Sequence, residues 1–151
     1  MKNKPFNSVL VIGIGLIGGS ILKNLSESSF IGTSYGLDLN EEITKKAYSM
    51  GLIKNSDNSL EKIDEDCLVV LSVPILSLEK AVNFVKEKLS IEEVFFTDTL
   101  STKSKVLDYL QLNPSLIKRF VLSHPIAGSE KSGLANSTSS LFKDKLTIIS
   151  P

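Results

Sequence analysis

The chain contains one histidine, His124, which lies in the stretch SHPIAGSEKSG. An imidazole can take up and release a proton near neutral pH, so this side chain is the commonest general acid or base in enzymes. A stretch so rich in glycine and serine predicts a loop rather than a strand or a helix. Two interpretations are open on these grounds: a group that transfers protons, or a surface histidine that caps or hydrogen-bonds its own loop.

A second candidate is the glycine-rich stretch GIGLIGG, which follows a predicted strand directly and opens a predicted helix. In its G-x-G-x-x-G pattern, Gly13 permits a tight turn, Gly15 lets the backbone approach a pyrophosphate, and Gly18 lets the helix pack on the strand. Leu16 and Ile17 begin the helix, whose unpaired N–H groups face the anion. The pattern predicts dinucleotide binding, and a plain glycine-rich turn is the alternative.

An acidic residue, Asp38, stands at the end of the second predicted strand, about 20 residues past the glycines, where a carboxylate accepts hydrogen bonds from a ribose. The alternative is an aspartate that helps to start the following helix. Asp38, Glu41 and Glu42 would repel a 2′-phosphate, and no arginine stands nearby to bind one. We therefore expect NAD rather than NADP.

The elements that position these residues are short apolar runs alternating with helical patterns. Strands are predicted at 8–13, 33–38, 67–73, 94–98, 119–123 and 146–150, with a further short strand and a turn of helix within 52–66. Helices are predicted at 16–27, between Asn40 and Gly51, from Pro74 to Leu89, and at 102–110. This alternation predicts an α/β fold of the Rossmann type, doubly wound, with a mostly parallel sheet and helices on both faces.

Ligands of such sheets bind at the carboxyl ends of the strands. Ser72, Val73 and Pro74 end the strand expected beside the first one, so we expect their backbone to border the cofactor. The alternative is a plain turn from strand to helix, in which Pro74 occupies the first helical turn.

Bulk composition excludes several other classes of function. The 151 residues predict one domain, and the 17 basic and 17 acidic side chains cancel. A zero net charge without a basic stripe argues against a nucleic-acid partner, and no apolar run is long enough for a membrane span. Cys67 stands alone, which excludes an internal disulfide and a cysteine-rich metal cluster and predicts a buried apolar role. Without a signal peptide, we expect a cytoplasmic protein and no metal site.

Five stretches in order, GIGLIGGS, LSVPI, TDTLSTK, SHPIAGSEKSG and LFKDKLTIISP, make the chain similar to the prephenate dehydrogenase family over nearly its whole length. The histidine stretch is much more specific than the glycine loop. The resemblance implies NAD-dependent oxidative decarboxylation of prephenate, or of its amino analogue arogenate, on the route to tyrosine. It also implies that His124 deprotonates the substrate hydroxyl as hydride leaves the same carbon.

The resemblance assigns further roles in the neighbouring loop. Ser101 is expected to hydrogen-bond the substrate hydroxyl, the histidine or the nicotinamide, and a helix N-cap for 102–110 is the alternative. Leu100 replaces a glycine that is usual in the family. A leucine does not easily adopt positive φ, so the path of this loop is open.

Beyond the histidine, Ser129 and Glu130 match positions near the substrate carboxylates, with a solvated Glu130–Lys131 charge pair as the alternative. Family members continue into a helical domain that forms a homodimer and supplies cations for the substrate. This chain ends at Pro151, so we expect a shortened form, truncated or natural, that binds NAD but has little turnover. The rivals are another small dehydrogenase, of the β-hydroxyacid or pyrroline-carboxylate type, and a non-catalytic NAD-binding module.

Overall fold

The computed structural model describes residues 6–30, 32–60, 63 and 66–150. Strands lie at Ser8–Ile12 (β1), Thr33–Leu37 (β2), Cys67–Leu71 (β3), Val94–Asp98 (β4), Phe120–Pro125 (β5) and Thr147–Ser150 (β6). Helices lie at Leu16–Glu27 (α1), Glu41–Ser49 (α2), Leu78–Lys88 (α3), Ser104–Leu112 (α4) and Pro114–Ile117 (α5), with 3-10 turns at Ile75–Ser77, Ile91–Glu93 and Leu134–Asn136.

The strands described form a six-stranded sheet in the order β2-β1-β3-β4-β5-β6. Neighbouring pairs from β2 to β5 are parallel, and β6 runs antiparallel to β5. The predicted α/β fold with a doubly wound, mostly parallel sheet is confirmed. The strand order reverses between β1 and β3, and a sheet of this kind binds its ligands at that point.

Both faces of the sheet are covered by apolar side chains, as expected for continuous apolar strands. Leu10 and Ile12 of β1 belong to one buried cluster, together with side chains from α3 and α4. Val9 and Val11 alternate to the other face, where they join a cluster that includes Leu22 of α1. Cys67 is buried at the start of β3, as expected.

The short strand and helical turn predicted within 52–66 are absent from the described residues 52–60, 63 and 66; residues 61, 62, 64 and 65 lie outside the description. Residues 54 and 55 bind the free edge of β2 without forming a strand. The Lys54 N–H donates to the Ser34 carbonyl at 2.8 Å. The amide of Asn55 accepts from the Gly36 N–H at 3.0 Å and donates to the Gly36 carbonyl at 2.7 Å. An asparagine that pairs with an edge strand in this way removes the need for another strand.

The prediction that His124 lies in a loop is wrong, because β5 runs on through His124 and Pro125. The reason is a long-range partner: His124 is opposite Ile148, and Pro125 is opposite Thr147, in the antiparallel strand β6. Proline is tolerated at the end of a strand, where its missing N–H costs little.

The glycine- and serine-rich tract after His124 is held against helix α1. Thr138 N–H donates to Ser20 Oγ at 3.0 Å, and Lys23 Nζ donates to the Ser137 carbonyl at 2.7 Å. This tract is therefore part of the packed fold. Over the ranges described, no helix has the length and apolar character needed to cross a bilayer.

Candidate functional site

The carboxyl ends of the five parallel strands described lie along one edge of the sheet, and hydrogen bonds connect their turns. Ser72 N–H donates to the Ile12 carbonyl at 2.8 Å, next to the glycine turn. Thr99 Oγ1 donates to Ser72 Oγ at 3.1 Å, and so connects the ends of β3 and β4. Since adjacent strands are about 4.8 Å apart, β5 with His124 lies about 14 Å across the sheet from β1. A ligand that uses both must be elongated.

The glycine turn has the geometry that its pattern predicts. Gly13 adopts φ +92°, and a Cβ on it would clash with the Ser72 carbonyl oxygen. A Cβ on Gly18 would clash with the carbonyl oxygen of Gly13, so this glycine lets α1 pack against the turn. A Cβ on Gly15, in contrast, would meet nothing within 4 Å. The space beside Gly15 is therefore open to a ligand.

Helix α1 begins at Leu16, directly after Gly15. The N–H groups of the first turn of an α-helix have no partner within the helix and point toward its N-terminus. The Gly19 N–H is the first to bond back into the helix, to the Gly15 carbonyl at 2.9 Å. The first turn of α1, which is fully described, has no acidic side chain. The N–H groups of Leu16 and Ile17 and the positive end of the helix can therefore bind an anion.

Asp38 is held at the end of β2 through both of its carboxylate oxygens. Oδ2 accepts from the Ile14 N–H at 2.9 Å, and Oδ1 accepts from the Asn40 N–H at 3.0 Å. Its own N–H donates to Thr44 Oγ1 at 3.1 Å, and its carbonyl accepts from Asn58 Nδ2 at 2.9 Å. Asp38 thus contributes to the start of α2, as the alternative supposed, although Asn40 is the residue that caps this helix. The half-buried carboxylate keeps lone pairs for a ligand.

A cavity of about 290 Å³ opens beside Asp38 and the glycine turn. Val73 and Pro74 line it, together with the apolar Leu39 and Phe84. Its polar lining includes Asp38, Asn58, Ser77 and Lys80. Asn58, Lys80 and Phe84 were not predicted from the sequence, because their distance along the chain from the glycine turn gives no local signal. An apolar slot beside a fixed carboxylate fits a flat base attached to a ribose.

At the end of β4 a buried ion pair joins two neighbouring strands. The Asp98 side chain is fully buried and is paired with Lys103, whose side chain is 23% exposed. Asp98 Oδ1 accepts from the Ser123 N–H at 3.1 Å, and Lys103 Nζ donates to the Ser123 carbonyl at 2.5 Å. This pair was not predicted from the sequence, where only Ser101 of TDTLSTK was assigned a role. The signal was the spacing of five between an aspartate at a strand end and a lysine.

His124 follows Ser123 in β5 and is half-buried. Its Nδ1 atom is buried and has no hydrogen-bond partner among the described residues. The interpretation of a histidine that hydrogen-bonds its own loop is therefore not supported. A second cavity, of about 370 Å³, is lined by His124, Pro125, Ile126, Ala127, Gly128 and Lys145. Lys145 adds an exposed cation to the cavity that His124 lines. This lysine was not predicted from the sequence.

Among the described residues, no hydrogen bond or ion pair joins Ser101, Ser129 or Glu130 to His124. Ser101 is exposed, and α4 begins only at Ser104 with no side-chain cap, so the N-cap interpretation of Ser101 is wrong. The loop that contains Ser101 is not part of α4, because the Lys103 side chain turns back to pair with Asp98. Leu100 is buried, and it is not among the described residues with positive φ.

Ser129 and Glu130 are both exposed, and Ser129 Oγ accepts from the Lys131 N–H at 3.2 Å. In the part of the chain that is described, no ion pair joins Glu130 to Lys131. Among the residues that the structure describes, no group of three or more histidine, cysteine, aspartate or glutamate side chains could hold a metal ion.

Comparison with known proteins agrees with this geometry. The family model described as "Prephenate dehydrogenase, nucleotide-binding domain" matches residues 21–151. The prephenate dehydrogenase of Bacillus subtilis is 32% identical over a match of 151 aligned positions, and the match covers 99% of this chain and 40% of that protein. The cyclohexadienyl dehydrogenase of Zymomonas mobilis is 31% identical over 148 residues, covering 97% of this chain and 50% of the relative.

Among solved structures, the prephenate dehydrogenase of Aquifex aeolicus in complex with hydroxyphenyl propionate and NAD+ superposes with a TM-score of 0.86. It is 37% identical in sequence, and the match covers 99% of this chain and 52% of that chain. The chain thus spans 40% to 52% of the length of these proteins.

Proposed function

Because the chain belongs to the prephenate dehydrogenase family, whose nucleotide-binding domain it matches, we propose that it binds NAD and serves the oxidative decarboxylation of prephenate. The single observation that carries this proposal is that His124 and the glycine turn lie at the same edge of one sheet. A redox cofactor and a base can then act on the same small molecule.

The fit to a dinucleotide rests on the space around the glycine turn. The open space beside Gly15 and the free N–H groups of Leu16 and Ile17 suit a pyrophosphate. The cavity of about 290 Å³ beside Asp38 suits the adenosine half. The negative charge of Asp38 favours a ribose without a 2′-phosphate, so NAD is proposed over NADP. When bound, NAD supplies the acceptor for a hydride.

The proposed chemistry of His124 is to accept the proton of the substrate hydroxyl while hydride leaves the carbon that bears it. Since Nδ1 is buried, Nε2 is the nitrogen that a substrate can reach. The hydroxyl carbon then becomes a carbonyl, and the ring becomes aromatic when the carboxylate on it leaves as CO2. General-base help of this kind is worth about 10²- to 10⁴-fold in rate.

Lys145 adds a specific contact to this proposal. It lines the same cavity as His124, and among the described residues its ammonium group forms no ion pair. Prephenate carries two carboxylates, so an unpaired cation at the rim would bind one of them through a charge-assisted hydrogen bond. Ser101, Ser129 and Glu130 are retained as proposed substrate-side residues.

Arogenate in place of prephenate is the first alternative, because the two differ only in the side chain remote from the hydroxyl. A non-catalytic NAD-binding module is the second. For the whole protein we propose a cytoplasmic homodimer with a C-terminal helical domain that completes the substrate site. On its own, residues 1–151 should bind NAD with little turnover, since half of the substrate site would be open to water.

The test joins this chain to the C-terminal part of the Bacillus subtilis relative and measures NADH formed from prephenate and from arogenate. Replacing His124 with Asn should lower kcat about 10²- to 10⁴-fold and leave the calorimetric Kd for NAD unchanged. Near-normal turnover of that variant would refute the role of His124. NAD binding without any NADH from either substrate would favour the non-catalytic module.

A further inference from the structure

Strand β5 loses its parallel partner just before the histidine. The register between β4 and β5 contains only Phe96 opposite Phe120 and Thr97 opposite Val121. Strand β4 then ends at Asp98, whereas β5 continues to Pro125 beside β6. The end of β5 that contains His124 therefore has no neighbouring strand on the side of β4.

Side chains take over where this ladder stops. The Ile126 N–H donates to the Leu146 carbonyl at 2.8 Å. In an antiparallel pair such bonds recur at every second residue, so the main-chain groups of His124 face β6 and those of Ser123 face β4. Asp98 and Lys103 bind the Ser123 N–H and carbonyl, and Ser123 Oγ donates to the Asp98 carbonyl at 2.5 Å. The Asp98–Lys103 pair thus clamps β5 one residue before the histidine.

The imidazole depends on this backbone for its position. In many active sites a third group orients the histidine by accepting its second N–H. Here Nδ1 has no hydrogen-bond partner in the described part of the chain. The direction of the ring is consequently fixed by packing and by the placement of Ser123 and His124 on the strand.

We propose that Asp98 and Lys103 are positioning residues for His124, which act through the backbone of Ser123 and do not touch the substrate. This inference rests on the proposed function of His124. A misplacement of about 1 Å in a reacting group costs on the order of 10²-fold in rate. Loss of the clamp should therefore lower kcat, with little change in NAD affinity, because β3 separates the glycine strand from β4.

Replacing only Asp98 or only Lys103 cannot test the proposal. Either change leaves one buried charge without its partner, which is strongly destabilising and would unfold the protein. The informative variant is Asp98→Asn with Lys103→Met, which removes both charges and keeps an acceptor for the Ser123 N–H. Lys103→Arg is the conservative variant, because a guanidinium can bridge the same two acceptors. Lys45→Met, which breaks the exposed ion pair with Glu42, is the matched control for loss of a surface charge.

The first readout is the NMR signal of the imidazole in the 151-residue chain, which is unambiguous because there is only one histidine. We expect the double variant to fold with a lowered thermal midpoint, because the asparagine amide keeps the acceptor for the Ser123 N–H but loses the one for the Leu100 N–H. Its His124 resonances should be shifted or broadened. Lys103→Arg and Lys45→Met should leave them in place. Unchanged resonances in the folded double variant would overturn the proposal.

The second readout is turnover in the chain joined to the C-terminal part of the relative. There the double variant should show kcat lowered about 10- to 100-fold, with the KM for NAD unchanged and activity retained by Lys103→Arg. Full turnover in the double variant would mean that the Asp98–Lys103 pair has only a structural role. If the parent itself fails to turn over substrate, the proposed function fails, and the NMR readout still decides whether the clamp positions the histidine.

Discussion

The carboxylate of Asp38 accepts a hydrogen bond at 2.9 Å from the main-chain N–H of Ile14, which ties the end of β2 to the glycine turn after β1. The acid and the turn are therefore one unit rather than two separate ligand contacts. Thr44 and Asn58 hold the backbone of the same aspartate from the other side. The carboxylate that a ribose would meet is fixed before the ligand arrives, and such preorganisation reduces the cost of binding.

Asp38→Asn should lower the affinity of the chain for NAD about 10-fold and narrow its preference for NAD over NADP. The neutral amide loses a charged acceptor for the ribose, worth about 1.5–3 kcal/mol, and no longer repels a 2′-phosphate. Calorimetric titration with both dinucleotides measures the effect. Glu92→Gln, an exposed change in the turn before β4 at the opposite edge of the sheet, is the control and should alter neither affinity. Equal affinity of the parent for both cofactors would contradict the predicted preference.

Two glycines of the turn should respond in opposite ways to alanine. Gly13→Ala introduces a Cβ at φ +92° against the Ser72 carbonyl, so we expect a loss of about 2 kcal/mol or more in the free energy of unfolding. Gly15→Ala meets open space at φ −84° and should change stability by less than about 1 kcal/mol.

NAD affinity should show the reverse order, with the larger loss in Gly15→Ala. The methyl group that this substitution adds would occupy the space where a pyrophosphate approaches. We expect NAD affinity to fall at least about 10-fold in this stable variant, which corresponds to about 1.4 kcal/mol or more. Urea unfolding and calorimetry on the same two variants separate the effects. A Gly15→Ala chain that binds NAD like the parent would argue against a pyrophosphate at this position.

Lys145→Met should raise the KM for the dianionic substrate about 10-fold and leave kcat within a factor of about three, since a charge pair held equally in the ground and transition states affects binding alone. Steady-state kinetics in the chain joined to the C-terminal part of a relative provides the measurement. Lys143→Met removes a neighbouring exposed cation that does not line the cavity of His124. If both variants raise KM equally, a general effect of charge would replace the specific contact.

Asn55→Ala should destabilise the fold by about 1–3 kcal/mol without changing the residues of the candidate site. The substitution leaves the Gly36 N–H and carbonyl on the edge of β2 without their partner. Urea unfolding measures this loss. Asn24→Ala, which removes an exposed bond of 2.9 Å to the Ser139 carbonyl, should cost less than about 1 kcal/mol. A similar cost for both would mean that Asn55 does not protect the edge.

Local patterns were sufficient for several elements. Helix α1 at 16–27 and strand β4 at 94–98 have the bounds that the sequence predicts. The apolar run of β1, the glycine spacing and Asp38 all lie within 31 consecutive residues, counted from Ser8 to Asp38. Each of these features is encoded by residues close together in the chain, so periodicity and turn chemistry could reveal them.

Contacts between distant residues decided the rest. His124 lies in a strand only because β6 pairs with it from 24 residues away, at Ile148. The short strand predicted within 52–66 is absent from the described residues there, and Asn55 pairs with the edge of β2 instead. The helix predicted at 102–110 begins only at Ser104, after Lys103 has paired with Asp98. Lys80 and Lys145 border the two cavities although nothing in their own segments marks them. The sequence by itself determined the alternation of strands and helices and the glycine turn, because short-range sterics dictate these. Only the tertiary structure decided what holds the histidine, because the Asp98 carboxylate and the Lys103 ammonium group reach the backbone of Ser123 only after the loop that follows β4 has met β5.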